Sequence, residues 1–189
     1  MMQVPTAFTR AATLAAVLFV TSSHAAPVTV AAPKAVEIAF SPRGGGQELI
    51  VKIIDSARQR IRVLAYSFTS PQVTAALLRA KKRGVDVALV VDQKSNLDNA
   101  KSRAALGALV AAGVAVRATA AYAIHHDKVV VVDGRHVQTG SYNFSDAAES
   151  RNSENILVLW DAPDVAAAYQ RHWQRNWETG VDYEPAFGR

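Results

Sequence analysis

Residues 126 to 154 hold a compact set of side chains with chemistry to offer: His126, Lys128, Ser141, Asn143 and Glu154, with Asp133 among them. On extended chain, residues two apart project from one side, so the His126 imidazole and the Lys128 ammonium share a surface. Val129 to Val132 form an unbroken apolar run, the pattern of a strand buried on both faces. Such a strand is a rigid mount for the histidine ahead of it. Gly140-Ser141-x-Asn143 follows the next strand pattern and offers a hydroxyl and an amide, and Glu154 heads a further strand with a carboxylate. This set suits a phosphate ester. The lysine neutralises charge, the serine and asparagine donate to phosphate oxygens, and the histidine attacks phosphorus or delivers a proton.

A metal site is the competing reading, since His125, His126, Asp127 and Asp133 are all ligand types. Strand alternation sends His125 and Asp127 to the face opposite His126 and Lys128. An ammonium beside the remaining histidine would repel a dication. No metal or other cofactor is therefore expected. The chain has no cysteine, which excludes disulfides, thiolate zinc sites, iron–sulfur clusters and cysteine nucleophiles.

His126-x-Lys128, then four residues to Asp133, then six to Gly140-Ser141-x-Asn143, resembles the HKD motif of the phospholipase D superfamily. Glu154 falls where that family carries an acid after the motif. Residues 65–68, 80–87 and 152–155 resemble the small bacterial non-specific endonucleases of the Nuc type, and the likeness runs from Val36 to Tyr183. The resemblance implies a site built from two HKD motifs. This sequence has one, because His24, His136 and His172 are not followed two residues later by lysine. Two chains would then meet about a two-fold axis. One His126 would attack phosphorus and the other would protonate the leaving oxygen. Both Lys128 side chains, with Ser141 and Asn143, would hold the phosphate, and Glu154 would accept a hydrogen bond from the imidazole. Two such histidines titrate as a coupled pair, giving a bell-shaped pH profile. The resemblance counts Asp133 with the catalytic set in a supporting, structural role. Its position before Gly134 also suits a plain turn residue.

The elements that would carry these residues alternate. Strand patterns occur at 36–40, 61–68, 85–91, 114–118, 128–132, 136–139 and 155–160. Helical patterns occur from 47 to about 60, from 71 to a stop at Gly84, at 101–112 and at 163–179. Ser70 before Pro71 is an N-cap followed by proline at the first helical position. The expected class is α/β, with a mixed, mostly parallel sheet and helices on both faces. The resemblance implies the phospholipase D/nuclease-like fold.

Half of the 189 residues are hydrophobic and 20% are charged, a globular composition. We expect a leader at 1–25, a linker at 26–34 and one catalytic domain at 35–189. The leader has Arg10, an apolar stretch at 11–20, and Ser23 and Ala25 at the small positions of a cleavage site. That apolar stretch is about half of the roughly 20 residues a membrane span needs, so no stable membrane anchor is expected. The destination is the periplasm or the medium. Lys plus Arg exceed Asp plus Glu by 21 to 16, a formal charge of +5, which favours polyanionic partners.

Other basic residues carry weaker signals. Lys94, Lys101 and Arg103 flank a polar loop at 93–102, after a strand end where α/β sites lie, and are candidates for substrate contact. Lys81, Lys82 and Arg83 read as a helix end. Gly44 to Gly46 read as a turn before they read as a phosphate cradle. Val165, Tyr169, Trp173 and Trp177 read as a core stripe, and residues 122–124 as a cleft entrance. The reading is a metal-independent phosphodiesterase, an endonuclease on DNA with RNA left open. A phospholipase D-type hydrolase or transphosphatidylase acting on phospholipid head groups would use the same residues. A non-catalytic nucleic-acid-binding module is opposed by the intact reactive set.

Overall fold

A computed structural model describes residue 27 and residues 29–185. The leader at 1–25 lies outside the described residues. Of the expected linker, 29–33 have no regular structure, and the Lys34 amide already donates to the Trp160 carbonyl at 3.0 Å.

The elements run β1 (Ala35–Ser41), α1 (Gly46–Asp55), β2 (Arg60–Ala65), α2 (Pro71–Lys82), β3 (Asp86–Asp92), α3 (Gln93–Leu97) and α4 (Ala100–Ala111). They continue with β4 (Ala115–Thr119), β5 (Lys128–Val132), β6 (His136–Gly140), α5 (Asp146–Ser150), β7 (Glu154–Trp160), α6 (Pro163–Thr179) and β8 (Val181–Asp182). One sheet has the order β1-β7-β6-β5-β2-β3-β4-β8. It is mixed, as expected, but its parallel share is smaller than the sequence suggested. Only β2–β3 and β3–β4 pair in parallel; the other neighbours are antiparallel. The reason lies in the connections. Parallel neighbours need a crossover helix, and α2 and α4 supply the two that exist. A tight turn joins β5 to β6, and β6 reaches β7 through a segment whose one helix, α5, has five residues.

Helices cover both faces. One core cluster joins α1, α2 and α4 to the sheet through Ile50, Ile53, Leu77, Leu106, Val63 and Leu89. The other lies under α6 and contains Leu64, Val90, Val129, Val131, Val137, Ala166 and Trp173. β5 feeds both: Val130 and Val132 enter the first cluster, Val129 and Val131 the second. Its uniform apolar run is thus explained by burial on two faces. Trp173 is buried and donates through Nε1 to the Val63 carbonyl at 3.1 Å, which pins α6 to β2. Val165, Tyr169 and Trp177 pack against the same cluster, as the stripe predicted.

Local signals account for most boundaries. Ser70 accepts from the Val73 amide at 3.3 Å, with Pro71 next in line. α1 ends at Asp55, five residues before the pattern at 47–60 suggested, because residues 56–59 form the turn into β2. Three short elements have no period to reveal them: α3, α5 and β8. Among the described residues, no helix is long and apolar enough to cross a membrane.

Candidate active site

Several strand ends meet at one edge of the sheet. β2 finishes there at Ala65, β3 at Asp92 and β6 at Gly140, while β5 begins at Lys128 and β7 at Glu154. Lys128 pairs with Ala65, and Gly140 with Ile156. This is the carboxyl end of the parallel strands, where α/β proteins place their sites.

Lys128 is buried, and its Nζ donates to the His126 carbonyl oxygen at 2.8 Å. Burial lowers its pKa below the ordinary lysine value; the charges of Asp127 and Glu154 pull it back up. His126 is exposed, two residues before β5 begins. The Tyr66 ring contacts both groups. It meets the His126 ring edge-on at 4.6 Å between centroids, and the Lys128 ammonium lies 5.0 Å from its centre. A cation over an aromatic face is favoured electrostatically, so Tyr66 helps hold the charge where desolvation opposes it.

Ser141 and Asn143 owe their positions to the residues between and after them. Tyr142 and Phe144 are fully buried, so the alternating side chains of Ser141 and Asn143 face away from that core. The Phe144 carbonyl accepts from the amides of Thr69 and Ser70, both at 2.8 Å, which ties this segment to the loop after β2. The Tyr142 hydroxyl donates to Glu149 at 3.0 Å. Gly140 is required by geometry. Its φ is +146°, and a Cβ there would lie 2.2 Å from the Asn155 carbonyl oxygen. That close approach brings Ser141 against the start of β7, where its hydroxyl donates to Glu154 at 2.5 Å and accepts from the Asn155 amide at 3.1 Å. The other Glu154 oxygen accepts from Asn152 Nδ2 at 2.9 Å. The Asn143 Oδ1 is buried and makes no hydrogen bond.

The structure therefore gathers His126, Lys128, Ser141, Asn143 and Glu154 at one end of the sheet. It departs from expectation on Glu154, whose carboxylate is engaged by Ser141 and Asn152 instead of the His126 ring. It also removes Asp133 from this end. Asp133 sits on the β5–β6 turn, one strand length, about 16 Å, from Lys128. Both Asp133 and Gly134 have positive φ, the signature of a tight hairpin turn. The Asp133 carboxylate accepts from the amides of Arg58, Gln59 and Arg60 at 2.8–2.9 Å. Of the two roles the sequence left open, its geometry is that of the turn residue.

The basic candidates separate as well. Lys94 is exposed on α3, which starts beside the site at Asp92. Lys101 lines a groove between α2 and α4 that contains none of the motif residues. Arg103 donates to the Leu97 carbonyl at 2.8 Å, closing the end of α3. The glycine run at 44–46 is a turn, and Glu149 takes the Gln47 amide at 3.1 Å, occupying the α1 N-terminus.

Sequence reasoning missed the supports. Asp92 caps α3 through the Ser95 amide at 2.7 Å and accepts from the His125 amide at 2.9 Å. Asn96 is fully buried, accepting from the Phe68 amide and donating to the carbonyls of Tyr66 and Asp92. An aspartate at a strand end ahead of a serine three residues on was the available signal; Asn96 left none. Residues 124–127 are not part of a strand, so strict alternation does not apply there. His125, His126 and Asp127 line one cavity with His172 of α6. His125 lies 3.3 Å from Asp127, and Asp127 lies 2.8 Å from His172. Among the described residues, no group of three or more histidine, aspartate or glutamate side chains is arranged to hold a metal ion.

Comparison with known proteins shows the family. A family model described as "Cardiolipin synthase, PLD-like domain" matches residues 50–177. Phospholipase D of Rickettsia bellii is 38% identical over 138 residues, covering 73% of this chain and 67% of that protein. Mitochondrial cardiolipin hydrolase of Xenopus laevis is 36% identical over 138 residues, with 73% and 62% covered. The crystal structure of Nuc from Salmonella typhimurium, a phospholipase D family member, superposes with a TM-score of 0.78 at 44% identity, over 79% of this chain and 98% of that one. The chain belongs to the PLD-like domain family and is a phosphodiester hydrolase of the phospholipase D superfamily.

Proposed function

We propose that this protein is an exported, metal-independent endonuclease that works as a homodimer through a phosphohistidine intermediate. The observation that carries the reading is the pairing of an exposed His126 with a buried, caged Lys128 ammonium, present once in the sequence. A ring nitrogen of one His126 attacks phosphorus, and the bond to the leaving oxygen breaks. That oxygen takes its proton from the second chain's His126. The same histidine, now neutral, removes a proton from water, and the hydroxide displaces the first histidine from phosphorus. The products are an alcohol and a phosphate monoester. The two Lys128 ammoniums stabilise the charge spread over the phosphate oxygens. Asn143 donates to those oxygens through its amide nitrogen, and Ser141 does so when its single hydroxyl proton turns from Glu154 to the bound phosphate.

An apolar face beside the site supports the two-chain arrangement. Val36, Ile38 and Phe40 alternate along edge strand β1, and all three are exposed. Phe40 pairs with Asn155 and Ser41 with Glu154, so this face runs up to the site, where a second copy would bury it. The charge of +5 and the likeness to Nuc favour nucleic acid as substrate. The names of the curated relatives favour the second reading, hydrolysis of a phospholipid head group. In this proposal residues 1–25 direct export, the linker at 26–34 precedes the single catalytic domain at 35–189, and Lys94 contacts the substrate backbone.

The test is plasmid nicking by the purified protein in excess EDTA, with His126→Ala alongside and phospholipid vesicles as a parallel substrate. Nicking by the wild type and not by the variant is expected. Release of head groups with no nicking would move the reading to phospholipid.

A further inference from the structure

The motif's middle residue, Asp127, has no part in the chemistry above, yet its carboxylate is tied to α6. One of its oxygens, Oδ2, lies 2.8 Å from His172 Nε2 and 3.3 Å from His125 Nε2. Both rings converge on that oxygen and not on a common vacant point; His172 is hydrogen-bonded to it, and His125 lies beside it without a hydrogen bond. Burial raises the Asp127 pKa, but the His125 and His172 rings beside it outweigh that effect and hold the carboxyl well below the usual range. An ionised carboxylate has no proton to give, so His172 donates through Nε2. Its Nδ1 then faces Arg175 Nη2 at 3.3 Å, a donor suited to it. His172 sits on α6, and α6 is fixed to the sheet by Trp173.

The segment that this anchor meets carries the reactive groups and lacks strand pairing of its own. Residues 124–127 precede β5. Their ties are the His125 amide to Asp92 at 2.9 Å, the Tyr66 amide to the Asp127 carbonyl at 2.9 Å, and the Asp127 side chain to α6. The His126 carbonyl within this segment is also the hydrogen-bond acceptor for Lys128. A shift of the Asp127 backbone therefore moves both the nucleophile and the ammonium.

We propose that Asp127 and His172 form a positioning pair that locks the His126–Lys128 segment onto α6 in the geometry needed for attack. The proposal rests on the phosphodiesterase reading for its kinetic consequence only. A misplacement of about 1 Å can cost up to a hundredfold in rate, so the effect belongs in kcat, with substrate affinity little changed.

The experiment uses the whole protein and bis(4-nitrophenyl) phosphate, well below the melting temperature of each variant. His172→Ala is expected to lower kcat about tenfold or more with KM within about twofold. His172→Gln, whose amide can still donate to Asp127, should restore most of kcat. The double variant Asp127→Ala with His172→Ala should lose no more than Asp127→Ala alone, as partners in one interaction do. An unchanged kcat in folded His172→Ala, or losses that multiply, would overturn the proposal. Amide hydrogen exchange gives a reading free of catalysis. The Tyr66 and His125 amides should exchange faster in His172→Ala than in the wild type, and equal rates would also overturn it. If the wild type proves as inactive as His126→Ala, the phosphodiesterase reading has failed, and the exchange arm alone decides the positioning claim.

Discussion

Lys128 carries an energetic conflict. In the proposed mechanism its ammonium binds phosphate, yet it is buried, and burial lowers its pKa while Asp127 and Glu154 oppose the shift. The charged form is lost as pH rises through that lowered pKa, so activity should fall on the alkaline side below the ordinary lysine range, near 10.4. Removing Glu154 takes away one upward influence. Glu154→Gln should therefore move the alkaline limb of the kcat/KM profile to lower pH, besides loosening Ser141; an unmoved limb would contradict this assignment. Lys128→Met should abolish turnover while the melting temperature holds or rises, because an ammonium held out of water costs stability that a methionine does not. At this scale the sequence was informative about types and poor about partners. His126, Lys128, Ser141 and Asn143 could be named from spacing alone. The bond from Ser141 to Glu154 could not, since it depends on how closely Gly140 lets β6 approach β7. His172 and Tyr66 stood outside the motif and had no pattern to mark them.

The strands act as levers with two ends, and β5 shows both. Lys128 at its start serves the site, and Asp133 beyond its end serves the hairpin turn and the entry to β2. Burial raises the Asp133 pKa, but the amides of Arg60, Arg58 and Gln59 lower it more, so the folded value is depressed. A depressed carboxylate contributes stability that is present above its unfolded pKa and is lost as pH falls through the folded one. Asp133→Ala should thus leave kcat near the wild-type value and cost about 1–3 kcal/mol at neutral pH, since three amides lose a charged acceptor. In urea melts that gap should narrow as pH falls below about 4; a gap independent of pH, or a lost kcat, would count against the turn role. The long elements were legible because burial imposes a period on them: β5 and α6 match their expected bounds, Lys128–Val132 and Pro163–Thr179. The shorter α3 and α5 were not, because Asn96 and Tyr142 stabilise them through single contacts that leave no repeat. Antiparallel dominance was half visible, in the Asp133-Gly134 hairpin; the seating of β1 beyond β7 was not, since no local signal sets sheet order.

For the molecule as a whole, the decisive feature is a site with one reactive histidine next to an exposed apolar edge. Ile38 is 62% and Phe40 59% exposed, so acidic replacements there cost the fold little. Ile38→Glu with Phe40→Glu should give a monomer by sedimentation that melts near the wild-type temperature and turns over nothing; an active monomer would refute the shared site. The most direct measurement mixes wild type with His126→Ala, unfolds and refolds the mixtures together, and follows phosphodiester hydrolysis against the wild-type fraction. A two-fold site that needs both histidines predicts activity proportional to the square of that fraction, about a quarter of full activity at an equal mixture. Activity proportional to the fraction itself, about one half at the same point, would show that each chain works alone and would contradict the account.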